Sequence, residues 1–395
     1  MAIKLLYDID QILNSGGRGT GLCRVSDLLL KQLSQYPEYE IHPLVTKKTK
    51  YTAKEYLSNN GLADLVDRIV YLPDLRATCV SASLMKKIKA CWLQLIRKKE
   101  YLQILNSYDE YISLYSPISP LVYKSKLKTT IVVHDLISIV HPELCAKDGN
   151  FKKYELWMKD IKADKVICIS QSTLNDFVKF RPDFDKSKLK VVPWGIEDRF
   201  KPTKNPEVKQ KYGIKTKNYI LTVSEVNKRK NLVHLLKAFA AFLNNSYDKD
   251  ISLVIAGPKK KNFDEVTSQI TELQNIQDKI VITGFVDDED LPALYSEAEM
   301  FVFPSLYEGF GLPPLEALAC GCPTICADNS SLPEVCGDAA IYISGHDIAD
   351  TAQKIAELHN NSARRQTMSL TGLKQAKQFD WTKATREIFD LKGSN

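Results

Sequence analysis

Glu308 and Glu316 stand eight residues apart within Pro304 to Ile325, and the residues between them suit the gripping of a phosphorylated ligand. Gly309 and Gly311 carry no Cβ, so the backbone there can approach a bound molecule closely. Met300 to Phe303 reads as a short apolar strand ahead of this turn. Pro313 and Pro314 suit the first turn of a helix running to about Ala319. The free N–H groups and positive dipole end of such a helix form an anion site. Across a tight turn both acids can reach one pocket, one to face a sugar and the other a ribose. Arg229 and Lys230 precede a second predicted helix, Leu232 to Leu243. They supply the cations a diphosphate needs when charge-assisted contacts, rather than a metal, neutralise it.

The elements that must position these residues read as alternating strands and helices. At 395 residues the chain is too long for one core, so two domains are predicted. A hydrophobic content of 44% with 26% charged residues places it among ordinary globular proteins, and no window holds a membrane span's run of apolar residues. Ile3 to Asp8 is a first strand, followed by N-S-G-G-R-G-T-G and a helix from about Leu22 to Gln35. This glycine-rich entry is the phosphate-side geometry of doubly wound folds, but Arg24 stands where a dinucleotide fingerprint would carry its third glycine. Glu110 to Leu114, Thr129 to Val133 and Lys165 to Ile169 are further strands; His134 and Asp135 end the second of these, at the carboxyl edge where open α/β sheets bind ligands. Pro193 and Gly195 punctuate a junction at 191–196. Beyond it, Tyr219 to Val223, Ile251 to Gly257, Ile280 to Thr283 and Ala340 to Ile343 argue for a second parallel sheet.

Acids interrupt the apolar run that a signal peptide would need at the start, so a cytoplasmic location is expected. The nine cysteines show no disulfide or zinc spacing, and small buried apolar roles are expected for Cys320, Cys322, Cys326 and Cys336. Asp8-x-Asp10 mimics a metal-binding pair, but as a common strand-end pattern it does not by itself call for a metal. The net charge of +6 is concentrated in the first 200 residues, which therefore face something anionic or simply solvent. Residues 83–99 carry apolar side chains at helical spacing, Trp92 among them, surrounded by lysines and arginines. Two readings stay open for them: peripheral contact with an anionic membrane, or a helix packed on the first sheet. Nothing calls for a nucleic-acid partner.

The string P-S-L-Y-E-G-F-G-L-P-P-L-E resembles the E-x7-E signature of retaining glycosyltransferases of the family 4 type. The likeness covers residues 190–395 specifically and 1–190 loosely. It implies the GT-B fold, an α/β architecture in which two Rossmann-like domains face each other across a cleft. Residues 1–190 would then bind the acceptor, 191–378 the nucleotide sugar, and 379–395 would cross back to the first domain. Glu308 falls on the acid that contacts the donor sugar, and Glu316 on the acid that holds ribose. Gly309, Phe310, Gly311 and Leu312 fall on the donor loop, while Arg229 and Lys230 fall on the diphosphate-binding R-K-N motif. Gly284, Phe285 and Val286 fall on the base-binding turn and Thr20 with Gly21 on the tip of the glycine-rich loop; His134 falls on a histidine facing the sugar. Ser224 departs from the glycine usual at its position, and Trp194 from a common asparagine.

What the resemblance implies is transfer of a hexose from a nucleoside-diphosphate sugar to a glycan or lipid-linked glycan. No metal or other cofactor is expected, and bacterial polysaccharide, lipopolysaccharide or capsule assembly is the setting. Rival readings are a nucleotide-sugar hydrolase or 2-epimerase, which would need no acceptor, a non-catalytic glycan-binding relative, and, third, a nicotinamide dehydrogenase.

Overall fold

A computed structural model describes residues 2–15, 21–47, 49, 51–72, 97–145, 151–247, 249–258 and 263–391. Thr20 and most of the basic amphipathic stretch, residues 83–96, lie outside the described residues. Among the described residues thirteen strands form two all-parallel sheets. The first comprises β1 (Ile3–Asp8), β2 (Tyr39–Val45), β3 (Val70–Tyr71), β4 (Glu110–Ser113), β5 (Lys128–Val133), β6 (Lys165–Cys168) and β7 (Leu189–Val191). The second comprises β8 (Asn218–Val223), β9 (Ile251–Ala256), β10 (Ile280–Gly284), β11 (Met300–Phe303), β12 (Thr324–Ala327) and β13 (Ala340–Ile343). Their orders, β3-β2-β1-β4-β5-β6-β7 and β10-β9-β8-β11-β12-β13, both reverse direction beside the first strand of the sheet. In doubly wound sheets that reversal opens a crevice at the carboxyl ends of the strands, which is where ligands bind.

Burial explains why these segments are strands. Every residue of β9 is buried, because helices cover both faces of a parallel sheet and leave no side for alternation. Sequence reading found β1, β11 and β13 at their observed bounds, began β8 one residue late, and missed β2, β3, β7 and β12. Pro43 hides β2, since proline argues against a central strand. The register resolves the conflict: β3 pairs only Leu44 and Val45, so Pro43 has no neighbour on that side to which it would owe a hydrogen bond.

One apolar cluster joins the two sheets, with Leu5 and Tyr7 of β1 and Leu221 of β8 packed in it beside Trp194 and Trp381. Trp194 and Trp381 stack with ring centroids 5.3 Å apart. Trp381 opens the helix Trp381–Phe389, which returns to the first sheet. There the Tyr39 hydroxyl donates to the Phe389 carbonyl at 3.1 Å, and Lys190 pairs with Asp390 at 3.1 Å. Gly195 makes this return possible, because a Cβ there would lie 2.3 Å from the Trp381 backbone nitrogen. Gly195→Ala is therefore expected to lower stability by about 1–3 kcal/mol or more, the usual cost of overpacking, measured as a lowered thermal midpoint. A Gly213→Ala control meets no atom within 4 Å, so its cost comes only from its left-handed backbone.

Candidate functional site

The two sheets aim their carboxyl ends at each other, and the loops that follow enclose a cavity of about 620 Å³. Its second-domain wall is the predicted strand, glycine turn and helix. After β11 the chain runs through Glu308 to Gly311, whose φ of 119° suits glycine, and enters the helix Leu312–Ala319 with prolines in its first turn. Gly309 is pressed against the opposite domain: a Cβ there would stand 2.2 Å from the His134 carbonyl oxygen. The Gly309 carbonyl accepts from the Ser170 hydroxyl at 2.7 Å and from Thr173 at 3.1 Å. Glu334 of the second domain accepts from the backbone nitrogens of Gln171 and Ser172, at 2.6 and 2.7 Å. A carboxylate so placed at the N-terminus of the helix Gln171–Phe180 complements its dipole. These contacts hold the two domains together around the cavity.

Arg229, Lys230 and Glu308 form a compact ionic group on the wall. The Arg229 guanidinium lies 2.5 Å from Glu308 Oε2, and the Lys230 ammonium 2.6 Å from Oε1. Ser305 also donates to Oε1 at 2.6 Å. Burial by itself would raise the Glu308 pKa, but the two cations outweigh it and hold it at about 2. Within the group two cations meet one carboxylate, and the Asp135 and Glu225 carboxylates of the same cavity also bear on Arg229 and Lys230 respectively. Asn227 fixes the turn by accepting from the Lys230 backbone nitrogen at 3.2 Å. Ser224, at the end of β8, lines the same wall, and its hydroxyl is buried with no partner among the described residues. A buried donor left unpaired calls for an explanation, and an incoming acceptor supplies one.

His134 faces the group from the end of β5. Its Nε2 lies 2.6 Å from the Leu114 carbonyl, which only accepts, so Nε2 carries the proton and Nδ1 is left as an acceptor. The ring leans on Trp194 at 5.7 Å. Burial pushes its pKa down to about 4 against the opposing effect of the Leu114 bond, so the imidazole is neutral at pH 7.

The structure brings together Gly21, His134, Arg229, Lys230, Phe285, Val286, Glu308, Gly309, Phe310, Gly311, Leu312 and Glu316 on one cavity. Gly284 is not on that wall; its carbonyl accepts from the Gly257 nitrogen at 2.9 Å, which ties the base-side turn to the loop after β9. Sequence reading missed Tyr115, set Asp135 beside His134 at the ligand edge without giving it a role, and gave no role to Arg24, although all three line the cavity. Asp135 follows His134 directly, and that adjacency was the available signal. Cys320, Cys322, Cys326 and Cys336 are buried and free. Among the described residues no three His, Cys, Asp or Glu side chains converge as metal ligands, and no helix is long and apolar enough to cross a membrane.

Residues 204–375 match the family model of glycosyl transferases group 1. The chain is 29% identical over 301 residues to O-antigen chain mannosyltransferase B of Escherichia coli, covering 75% of this chain and 78% of that protein. It is 30% identical over 264 residues to the serotype-specific mannosyltransferase WbdA of the same organism, covering 64% of this chain but only 32% of that longer protein. Among solved structures it superposes on Anabaena Alr3699/HepE in complex with UDP and glucose with a TM-score of 0.72, at 17% identity and 98% coverage of both chains. The glycosyltransferase WaaG, involved in lipopolysaccharide biosynthesis, gives 0.67 at 13% identity, over 99% of this chain and 100% of that one. The fold is GT-B.

The depressed His134 pKa has a consequence for stability. Unfolded, the imidazole takes up a proton near pH 6.5; folded, it refuses one until about pH 4. Stability is therefore lost as pH falls through that window. His134→Gln should remove an increment on the order of 1–3 kcal/mol from the difference between neutral pH and about pH 4.5, read from denaturant unfolding of both proteins.

Proposed function

We propose that the chain is a retaining, metal-independent glycosyltransferase of the family 4 type that moves a hexose from a nucleoside-diphosphate sugar to a glycan or lipid-linked glycan. The observation that carries this reading is the meeting of Arg229, Lys230, the glycine-lined helix mouth, Glu308 and His134 on a single interdomain cavity. The mannosyltransferase relatives favour mannose as the hexose, and their O-antigen names favour bacterial surface polysaccharide assembly at the cytoplasmic face of the membrane. Residues 83–99 would supply the contact with an anionic lipid surface.

In this account the leaving diphosphate gains negative charge as the anomeric carbon becomes oxocarbenium-like. The Arg229 and Lys230 cations, the N–H groups at Gly311 and Leu312 and the unpaired Ser224 hydroxyl stabilise that charge. Fixed dipoles and charges of this kind need no reorganisation at the moment of reaction. His134 Nδ1 is an acceptor for a hydroxyl of the donor sugar, and Glu316 holds ribose hydroxyls. Phe285, exposed at the cavity rim, and Val286 border the base.

Glu308 acts electrostatically. A carboxylate held at about pKa 2, with both oxygens already engaged, is a weak nucleophile. Substitution on one face by the acceptor, with the departing diphosphate removing the acceptor's proton, balances without a covalent enzyme intermediate. The glycosidic bond to phosphate breaks, the acceptor oxygen bonds to the anomeric carbon, and the configuration is kept. Contact between the domains excludes water that would otherwise hydrolyse the donor.

A thermal-shift panel of UDP, GDP, ADP and dTDP sugars is expected to show one base class raising the melting temperature, as a ligand specific to the native state must. With that donor, NMR of the product should show a retained anomeric configuration. Glu308→Gln should slow transfer by about 100-fold or more while the protein stays folded. Inversion, or full activity of that variant, would refute the mechanism; sugar release at an undiminished rate without acceptor would indicate a hydrolase.

A further inference from the structure

Arg24 sits in the first turn of the helix Gly21–Leu33, on the first domain, yet its guanidinium is spent on the second. Its Nη2 bonds Glu316 Oε1, and its Nε lies 2.7 Å from Glu197 in the interdomain junction. The guanidinium also lies over the Phe200 ring, 5.4 Å from its centroid. The Arg24 side chain is 20% exposed and that of Glu316 only 4%, so the pair is largely withdrawn from water. Glu316 Oε2 accepts from the Tyr295 hydroxyl at 2.9 Å. The carboxylate therefore has one partner from its own domain and one from across the cleft. Two donors on four lone-pair sites leave room for further hydroxyls.

We infer that Arg24 is a positioning residue lent by the first domain to the donor site: it orients Glu316 for the nucleotide's ribose hydroxyls only while the two domains are in contact. The inference rests on the donor reading above and adds to it a reason for nucleotide binding and domain contact to depend on each other. A planar guanidinium fixes a carboxylate in direction as well as charge. Separating the domains would strip Glu316 of that partner and leave two charges that had been buried together each facing water or nothing. Whatever a nucleotide gains from an oriented Glu316 it must return as a preference for the closed arrangement, because such coupling is reciprocal. This also accounts for Arg24 standing where a dinucleotide fingerprint would carry its third glycine: a glycine there could not reach Glu316.

The test titrates UDP and GDP into the full chain and into Arg24→Ala, Arg24→Lys and Arg229→Ala by calorimetry, with the radius of gyration measured by X-ray scattering with and without nucleotide. Arg24→Ala should weaken the better nucleotide by about 5-fold or more and abolish the nucleotide's effect on compactness. Arg24→Lys, which keeps the charge without the fork, should recover part of both. Donor KM should rise in Arg24→Ala more than kcat falls. If Arg24→Ala binds as tightly and compacts as fully as the unaltered chain while Arg229→Ala loses binding, the inference is wrong and the donor reading stands. If the unaltered chain binds none of UDP, GDP, ADP and dTDP, the donor reading fails and takes the inference with it.

Discussion

Two cations and one carboxylate, packed at the carboxyl edge of the second sheet, set the terms for everything around them. Arg229 and Lys230 both pair with Glu308, in a wall mostly screened from solvent. Buried charges are costly unless they are paired and hydrogen-bonded. The turn that carries the cations is held by Asn227 and by a backbone bond from Leu306 to the Arg229 carbonyl at 2.8 Å, and Glu308 holds their head groups. The strand order has the same effect, because its reversal at β8 and β11 places the cationic turn and the acidic loop side by side. The site is a constraint the ligand must satisfy, and under the proposed function a diphosphate would be that ligand.

The first domain then decides what sits opposite. His134 contributes a neutral ring fixed by the Leu114 carbonyl and backed by Trp194, itself stacked on Trp381 of the returning helix. The C-terminal segment thus bears on the site without touching the cavity: it closes the apolar seam behind the histidine. Gly309 lies so close to the His134 carbonyl that the acidic loop and the histidine cannot be adjusted independently. Specificity for sugar and acceptor would follow from this shared surface rather than from either domain alone.

Much of this was legible in the sequence, for physical reasons. Glycine and proline mark the β11 turn and helix because Gly311 takes a φ of 119° and a helix's first turn tolerates proline, and buried parallel strands announce themselves as unbroken apolar runs. Where a strand broke those rules it escaped notice, as β2 did on account of Pro43, and β3 and β7, with two and three residues, offered too few to show a pattern. The site residues on one continuous segment, Glu308 to Glu316, were visible from spacing. Arg24 was not, because its partners lie 173 and 292 positions away, and no local pattern encodes a contact across a cleft. The unpaired Ser224 hydroxyl likewise belongs to the fold, since burial is a property of neighbours and not of the residue.

The most direct measurement is a crystal structure of the chain with the nucleoside diphosphate it binds best. The account predicts diphosphate oxygens within hydrogen-bonding distance of the Arg229 and Lys230 side chains and of the backbone nitrogens at Gly311 and Leu312. A nucleotide bound elsewhere, or a diphosphate turned away from that cationic turn, would contradict it.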